Sequence, residues 1–170
     1  MYELLFAGHE TTTGLIGNAL RQLLTHRHAW DDICRDASLI PNVVEEVLRF
    51  DSSVIAWRRR TTEAVKIGGV PVPAGVSLLL LFGSANRDPA VFEDPERFDI
   101  RRRNAREHLS LGQGTHYCLG APLVRLEARV VLEELSARLP SLRLVPGQAL
   151  RFQPNTTFRG PLSLLAEWDL

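Results

Sequence analysis

Cysteine is scarce in this chain. Among its 170 residues only Cys34 and Cys118 occur, too few for a disulfide scaffold and in keeping with a reducing cytoplasm. Net charge is lacking as well: 20 basic and 20 acidic side chains give a formal charge of zero, which argues against a polybasic nucleic-acid or membrane-surface protein. No apolar run approaches the ~20 residues needed to span a bilayer, and no signal peptide is visible. These absences point to a cytoplasmic protein with no nucleic-acid partner and no membrane segment. Internal repeats and low-complexity tracts are missing too. What is present is ordinary globular material. Hydrophobic residues make up 45% of the chain, and a chain of this length can bury roughly 70% of its unfolded surface.

The patterning predicts a mainly helical α+β chain. Residues 1 to about 25 read as a helix with wide apolar coverage (Leu4, Leu5, Leu15, Ile16, Leu20, Leu23, Leu24), interrupted at Gly8 and a threonine triplet where helix propensity is poor. A shorter helix is expected over Ala29 to Asp36, and another from Pro41, with Val43, Val44, Val47, Leu48 and Phe50 at helical spacing. Strands are expected from Trp57 to about Leu81. Val65 to Val72 reads as a hairpin turning at Gly68-Gly69, with Pro71 confined to an edge, and Val76 to Leu81 as a buried strand. Residues 84 to 117 show little periodicity, and a long irregular stretch inside a compact chain is usually functional. The helix after Cys118 runs to Pro140 with two apolar stripes, so most of it is expected to be buried. Short strands are expected around Leu142–Val145 and Leu162–Ala166.

The most informative segment is Leu111-Gly112-Gln113-Gly114-Thr115-His116-Tyr117-Cys118-Leu119-Gly120. A glycine-rich loop delivers a cysteine to the start of a helix. Such a loop folds tightly enough to aim peptide N–H groups at the sulfur, and the helix N-terminus adds partial positive charge; both favour a thiolate. Gly120 leaves room beside the sulfur for something flat and wide, and His116 offers a donor to an anionic group. A thiolate with that clearance suits a soft metal, and haem iron is the natural candidate.

This loop resembles the haem-ligand loop of the cytochrome P-450 monooxygenases, Phe-x-x-Gly-x-His/Arg-x-Cys-x-Gly, with Leu111 where the family usually has Phe. Three further matches follow the family's order. Ala7-Gly8-His9-Glu10-Thr11-Thr12 is similar to the run of the central helix that passes over the haem. The resemblance implies that Gly8 thins the helix, that Thr11 offers a hydroxyl to water or oxygen, and that Glu10 delivers protons. A metalloprotease reading of His9-Glu10 fails, because it requires a second histidine where Thr13 stands. Glu46-Val47-Leu48-Arg49 matches the family's Glu-x-x-Arg, whose pair is joined by the arginine of a Pro-x-Arg-Phe segment, here Arg97. Its implied role is a buried structural network of Glu46, Arg49 and Arg97. Arg59 and His116 are candidates for holding the haem propionates, although the consecutive arginines 58 to 60 leave that choice open, and Ala64 stands where Asp is usual. Ala85-Asn86-Arg87-Asp88-Pro89 is expected to be a turn and capping segment without a chemical role, and Cys34 a small core residue.

The resemblance implies residues 1–170 to be the C-terminal portion of a single cytochrome P-450 domain. The implied activity is insertion of one oxygen atom from O2 into a small organic substrate. The implied cofactor is haem b on Cys118, with Gly120, His116 and Arg59 in its binding site and Glu10 and Thr11 as catalytic groups. Electrons would come from a ferredoxin or similar donor with its reductase, as in soluble bacterial members. Family members are more than twice this length, so a gene fragment, a truncated paralogue and a start codon placed too late all stay open. The chain alone is expected to be inactive. Two alternatives differ in kind: a non-catalytic remnant, and a haem-binding electron-transfer or sensor module. The Glu10-Thr11 pair speaks against the sensor, which needs no proton relay.

Overall fold

The computed structural model describes residues 2–169, and side chains from residue 7 onward. Helix α1 spans Tyr2–Thr25, α2 Arg27–Arg35 and α3 Ile40–Phe50, with a single 3-10 turn at Ala37–Leu39 between the last two. Pro41 sits in the first turn of α3, where a missing N–H costs nothing. Asp36 ends α2 and caps the 3-10 turn, its carboxylate accepting from the Ser38 N–H at 3.0 Å. Strands β1 (Trp57–Arg60), β2 (Val65–Ile67), β3 (Val70–Val72) and β4 (Ser77–Leu80) follow, then the short helix α4 (Phe82–Ala85). Residues 86 to 120 are mostly turns. Helix α5 (Ala121–Arg138) and strands β5 (Arg143–Leu144) and β6 (Ala166–Glu167) complete the order.

The core lies where α1, α2, α3 and α5 meet, built on Leu15, Leu23, Trp30, Ile33, Val43, Val47 and Leu132. The strands form three separate antiparallel pairs, β1 with β4, β2 with β3 and β5 with β6. The predicted hairpin is present with Lys66 opposite Pro71. Gly68 and Gly69 have φ of 55° and 87°, as a two-residue turn of the kind that matches strand twist requires. A close approach joins α1 to the segment before β6: a Cβ placed on Gly160 would lie 2.9 Å from Cα of Gly14 on α1.

Two expectations about burial are corrected. The apolar run 76–81 contains β4, but Leu79, Leu80 and Leu81 are exposed, because among the described residues that strand pairs with β1 alone. Helix α5 buries one stripe only, Ala121, Ala128 and Leu132. The adjacent stripe of Leu119, Leu123, Leu126 and Val130 faces outward, Leu119 being 87% exposed.

Candidate functional site

The cysteine loop is closed by its own backbone. The Cys118 N–H donates to the Leu111 carbonyl at 2.8 Å, Tyr117 N–H to Gly114 at 3.0 Å, and Gly112 N–H to Leu109 at 2.9 Å. Gly112 and Gly114 have φ of 76° and 67°, a region closed to most side chains. At Gly112 a Cβ would also come within 3.2 Å of the His116 carbonyl. Leu111 is half-buried and packs against the helical core, filling its place with an aliphatic side chain. The Cys118 thiol is free and half-buried, and a Cβ on Gly120 would lie 3.8 Å from its Sγ. The glycine therefore keeps one flank of the sulfur clear. Among the described residues no N–H donates to Sγ; the Cys118 amide that loop closure positions is turned to Leu111 instead.

Helix α3 holds this loop with two consecutive buried carboxylates. Glu46 receives Arg49 Nε and Nη2, each at 2.8 Å, and all of these groups are buried. The remaining Arg49 N–H groups reach the carbonyls of Asn86, Pro95 and Arg97 at 2.9, 3.0 and 3.1 Å. The arginine that joins the pair by its side chain is Arg102, whose buried Nε lies 3.3 Å from Glu46. This corrects the expectation for Arg97. Its side chain is exposed, and it contributes its carbonyl alone, accepting from both Arg49 and Arg102. The turn at residues 97–102 swings the later arginine inward, a step that spacing within the motif could not reveal.

Asn86 was expected to do no more than shape a turn, yet it is fully buried and joins this network to the loop. Its Nδ2 donates to Ser110 Oγ at 2.8 Å and its Oδ1 accepts from the Leu109 N–H at 2.7 Å. Ser110 Oγ in turn donates to the Leu48 carbonyl on α3 at 2.5 Å.

Glu45 is the second carboxylate, and nothing in the sequence singled it out. It accepts from Arg125 Nε at 2.7 Å and Nη2 at 3.0 Å, and faces His108 Nε2 at 3.1 Å. His108 Nδ1 accepts from the Ser110 N–H at 3.2 Å, so a neutral ring with its proton on Nε2 satisfies both contacts. Burial alone would raise the Glu45 pKa, but the hydrogen bonds from His108 and Arg125 outweigh it and hold it at about 2. Arg125 Nη1 also donates to the Tyr117 hydroxyl at 3.0 Å. A histidine and an arginine at 63 and 80 residues' separation from Glu45 carry no local signal.

The remaining predicted residues stand on other elements. On α1, Thr11 is half-buried and its Oγ1 donates to the Ala7 carbonyl at 2.6 Å. Glu10 accepts from Gln153 Nε2 at 3.0 Å. Among the described residues a Cβ on Gly8 would meet nothing within 4 Å. On β1, Arg59 is half-buried between two exposed neighbours, touching the Arg58 carbonyl at 2.9 Å, while Arg60 is turned to the Gly75 carbonyl at 3.1 Å. His116 is exposed in the 3-10 turn Gly114–His116. Cys34 is half-buried against the core, and burial raises its thiol pKa. No hydrogen bond or ion pair joins Cys118, Arg59 and the Glu10-Thr11 pair among the described residues. The structure thus brings Cys118, Gly120 and His116 together in one loop and leaves the others on separate elements.

The donor set fits a haem. It offers a free thiol with one open flank, exposed apolar side chains beside it, and an unobstructed glycine on a helix that carries an acid and an alcohol.

Comparison with known proteins agrees with this reading. The family model described as Cytochrome P450 matches residues 30–138. Erythromycin C-12 hydroxylase of Saccharopolyspora erythraea is 49% identical over 140 residues, covering 82% of this chain and 35% of that protein. Cytochrome P450 monooxygenase PikC of Streptomyces venezuelae is 44% identical over 168 residues, covering 97% of this chain and 40% of that protein. The solved structure of cytochrome P450 CREJ in complex with (4-ethylphenyl) dihydrogen phosphate superposes with a TM-score of 0.96 at 52% identity, covering 99% of this chain and 42% of that one. The chain therefore spans about two-fifths of the length of these relatives.

Proposed function

The chain belongs to the cytochrome P-450 family, and from that premise we propose that it is the thiolate-bearing part of a haem monooxygenase acting on a small organic substrate with O2. The observation that carries this reading is the Cys118 loop: a free, half-buried thiol with a glycine-cleared flank, at the start of α5.

In this reading Cys118 Sγ binds the iron of haem b, Gly120 gives the ring room, and His116 and Arg59 hold its propionates. Held in this way, the haem would supply the oxygen-activating chemistry, with Cys118 as its thiolate ligand. The protein's own groups supply protons and position. Glu10, oriented by Gln153, is the acid. Thr11 Oγ1 gives its hydrogen to the Ala7 carbonyl and so presents acceptor lone pairs, suited to holding a water that passes a proton from Glu10. Electrons come from a ferredoxin-type donor with its reductase. The setting is cytoplasmic, and no helix among the described residues is long and apolar enough to cross a membrane.

The test is haem titration followed by reduction under carbon monoxide. The expected result is the strongly red-shifted Soret band of thiolate ligation, lost in Cys118→Ser. An unchanged band in that variant would remove Cys118 from the iron.

A further inference from the structure

Glu45 and Glu46 are neighbours on α3 and both fully buried, yet they hold different partners. Glu46 gathers Arg49 and Arg102, which fix the irregular segment before the cysteine loop. Glu45 reaches the other way, to Arg125 on the second turn of α5. That arginine is doubly bonded to the carboxylate through Nε and Nη2, which leaves Nη1 pointing at the Tyr117 hydroxyl at 3.0 Å. A bidentate arginine–carboxylate pair has one geometry, so the third contact is also fixed in space. Tyr117 immediately precedes Cys118. Its own N–H is used within the loop, on the Gly114 carbonyl, and the residue is 47% exposed. After Cys118 the backbone is tied to α5 by the Ala121 N–H on the Cys118 carbonyl at 3.2 Å. The hydroxyl contact is the side-chain tie that holds Tyr117, on the other side of the cysteine, to the rigid helices. The other end is tied at Leu109 and Ser110 by Asn86.

We propose that Arg125 and Tyr117 are positioning residues for Cys118: the buried Glu45 aligns Arg125, Arg125 holds the tyrosine hydroxyl, and that contact sets where the sulfur sits. The consequence for ligation rests on Cys118 being the iron ligand, but the positioning itself is a property of the chain and can be read without haem.

The experiment measures the rate at which Cys118 reacts with 5,5′-dithiobis(2-nitrobenzoate), using the full chain in dilute solution with Cys34→Ala as background. Tyr117→Phe removes only the hydroxyl and leaves the buried Glu45–Arg125 pair intact. Arg125→Lys keeps a cation for Glu45 and gives up the fork that reaches Tyr117. The labelling rate should rise at least threefold in Tyr117→Phe, with the urea midpoint of tryptophan fluorescence unchanged. Arg125→Lys should show the same rise, and the double variant should be no faster than either single, since all three break one contact. An unchanged rate in Tyr117→Phe, or additive increases in the double variant, would overturn the proposal. Failure of haem to bind Cys118 would overturn the functional reading while leaving these rates as they are.

Discussion

Arg49 satisfies all five of its guanidinium N–H groups inside the protein: two on the carboxylate of Glu46 and three on the carbonyls of Asn86, Pro95 and Arg97. One side chain on α3 therefore fixes three points of an otherwise irregular segment. Removing either member of the pair leaves the other charged and buried, which typically costs ~3–5 kcal/mol. Glu46→Ala and Arg49→Ala should lose that much in urea unfolding. Arg49→Lys should lose a large part of it, since an ammonium has three donors for five acceptors. Wild-type midpoints in these variants would show that the network bears no load.

Asn86→Ala leaves the Leu109 N–H without its acceptor and takes one of two partners from Ser110 Oγ, which keeps the Leu48 carbonyl. A stranded buried polar group costs about 1–3 kcal/mol. Beyond that loss, amide exchange at Leu109 should accelerate more than exchange in the core of α3. Uniform acceleration across both would mean that Asn86 acts only on global stability.

The pH dependence of stability should carry a signature of Glu45. Its folded pKa of about 2 lies below the ordinary value of 4.5, so the unfolded chain takes up the proton first as pH falls. The carboxylate's contribution is complete above about pH 4.5 and is lost as pH drops toward 2. Urea midpoints measured between pH 6 and pH 2.5 should fall on the acid side, and Glu45→Gln should flatten that limb. An equally steep limb in Glu45→Gln would assign the acid sensitivity elsewhere.

Thr11→Ala removes the hydroxyl that bonds to Ala7 and with it the proposed water-holding group. In the haem-loaded full-length enzyme, haem and substrate binding should persist while reducing equivalents are diverted to peroxide. Product formed per electron consumed should fall severalfold. Equal coupling in variant and wild type would exclude Thr11 from proton delivery.

The outward stripe of Leu119, Leu123, Leu126 and Val130 is an apolar patch of the kind that drives association. The chain of residues 1–170 alone should self-associate in light scattering at micromolar concentration and give no monooxygenase turnover with haem, reductase and substrate supplied. Leu123→Lys with Leu126→Lys should shift it toward monomer. A monomeric wild-type chain with coupled product formation would refute both halves of this prediction.

Much of the site was legible in the sequence because its requirements are local. Gly112, Gly114 and Cys118 stand at spacings that a tight loop demands, and Glu46 and Arg49 lie one helical turn apart, a common spacing that became informative only beside the resemblance of the cysteine loop. The Gly68-Gly69 turn, like that loop, was readable from its local demands. Arg102, Asn86, His108 and Arg125 were not, because each acts across a long loop closure. Which of several arginines turns inward depends on the path of residues 97–102, and sequence periodicity is silent over that stretch. Burial of β4 and of the second α5 stripe was overestimated on similar grounds. An apolar pattern states what a face prefers, while its cover must come from elements elsewhere in the chain.

The close approach of Gly160 to Gly14 bears on how the protein is made. Gln153, which holds Glu10, belongs to the same late segment, and the Arg159 N–H bonds to the Ser53 carbonyl at 2.9 Å. A ribosome releases α1 long before this segment, and contacts of such sequence separation are the slow ones to form. The acid on α1 therefore remains without its partner until Gln153, 143 residues later, has been made, so the orientation of the proposed proton donor matures well after its own helix has formed.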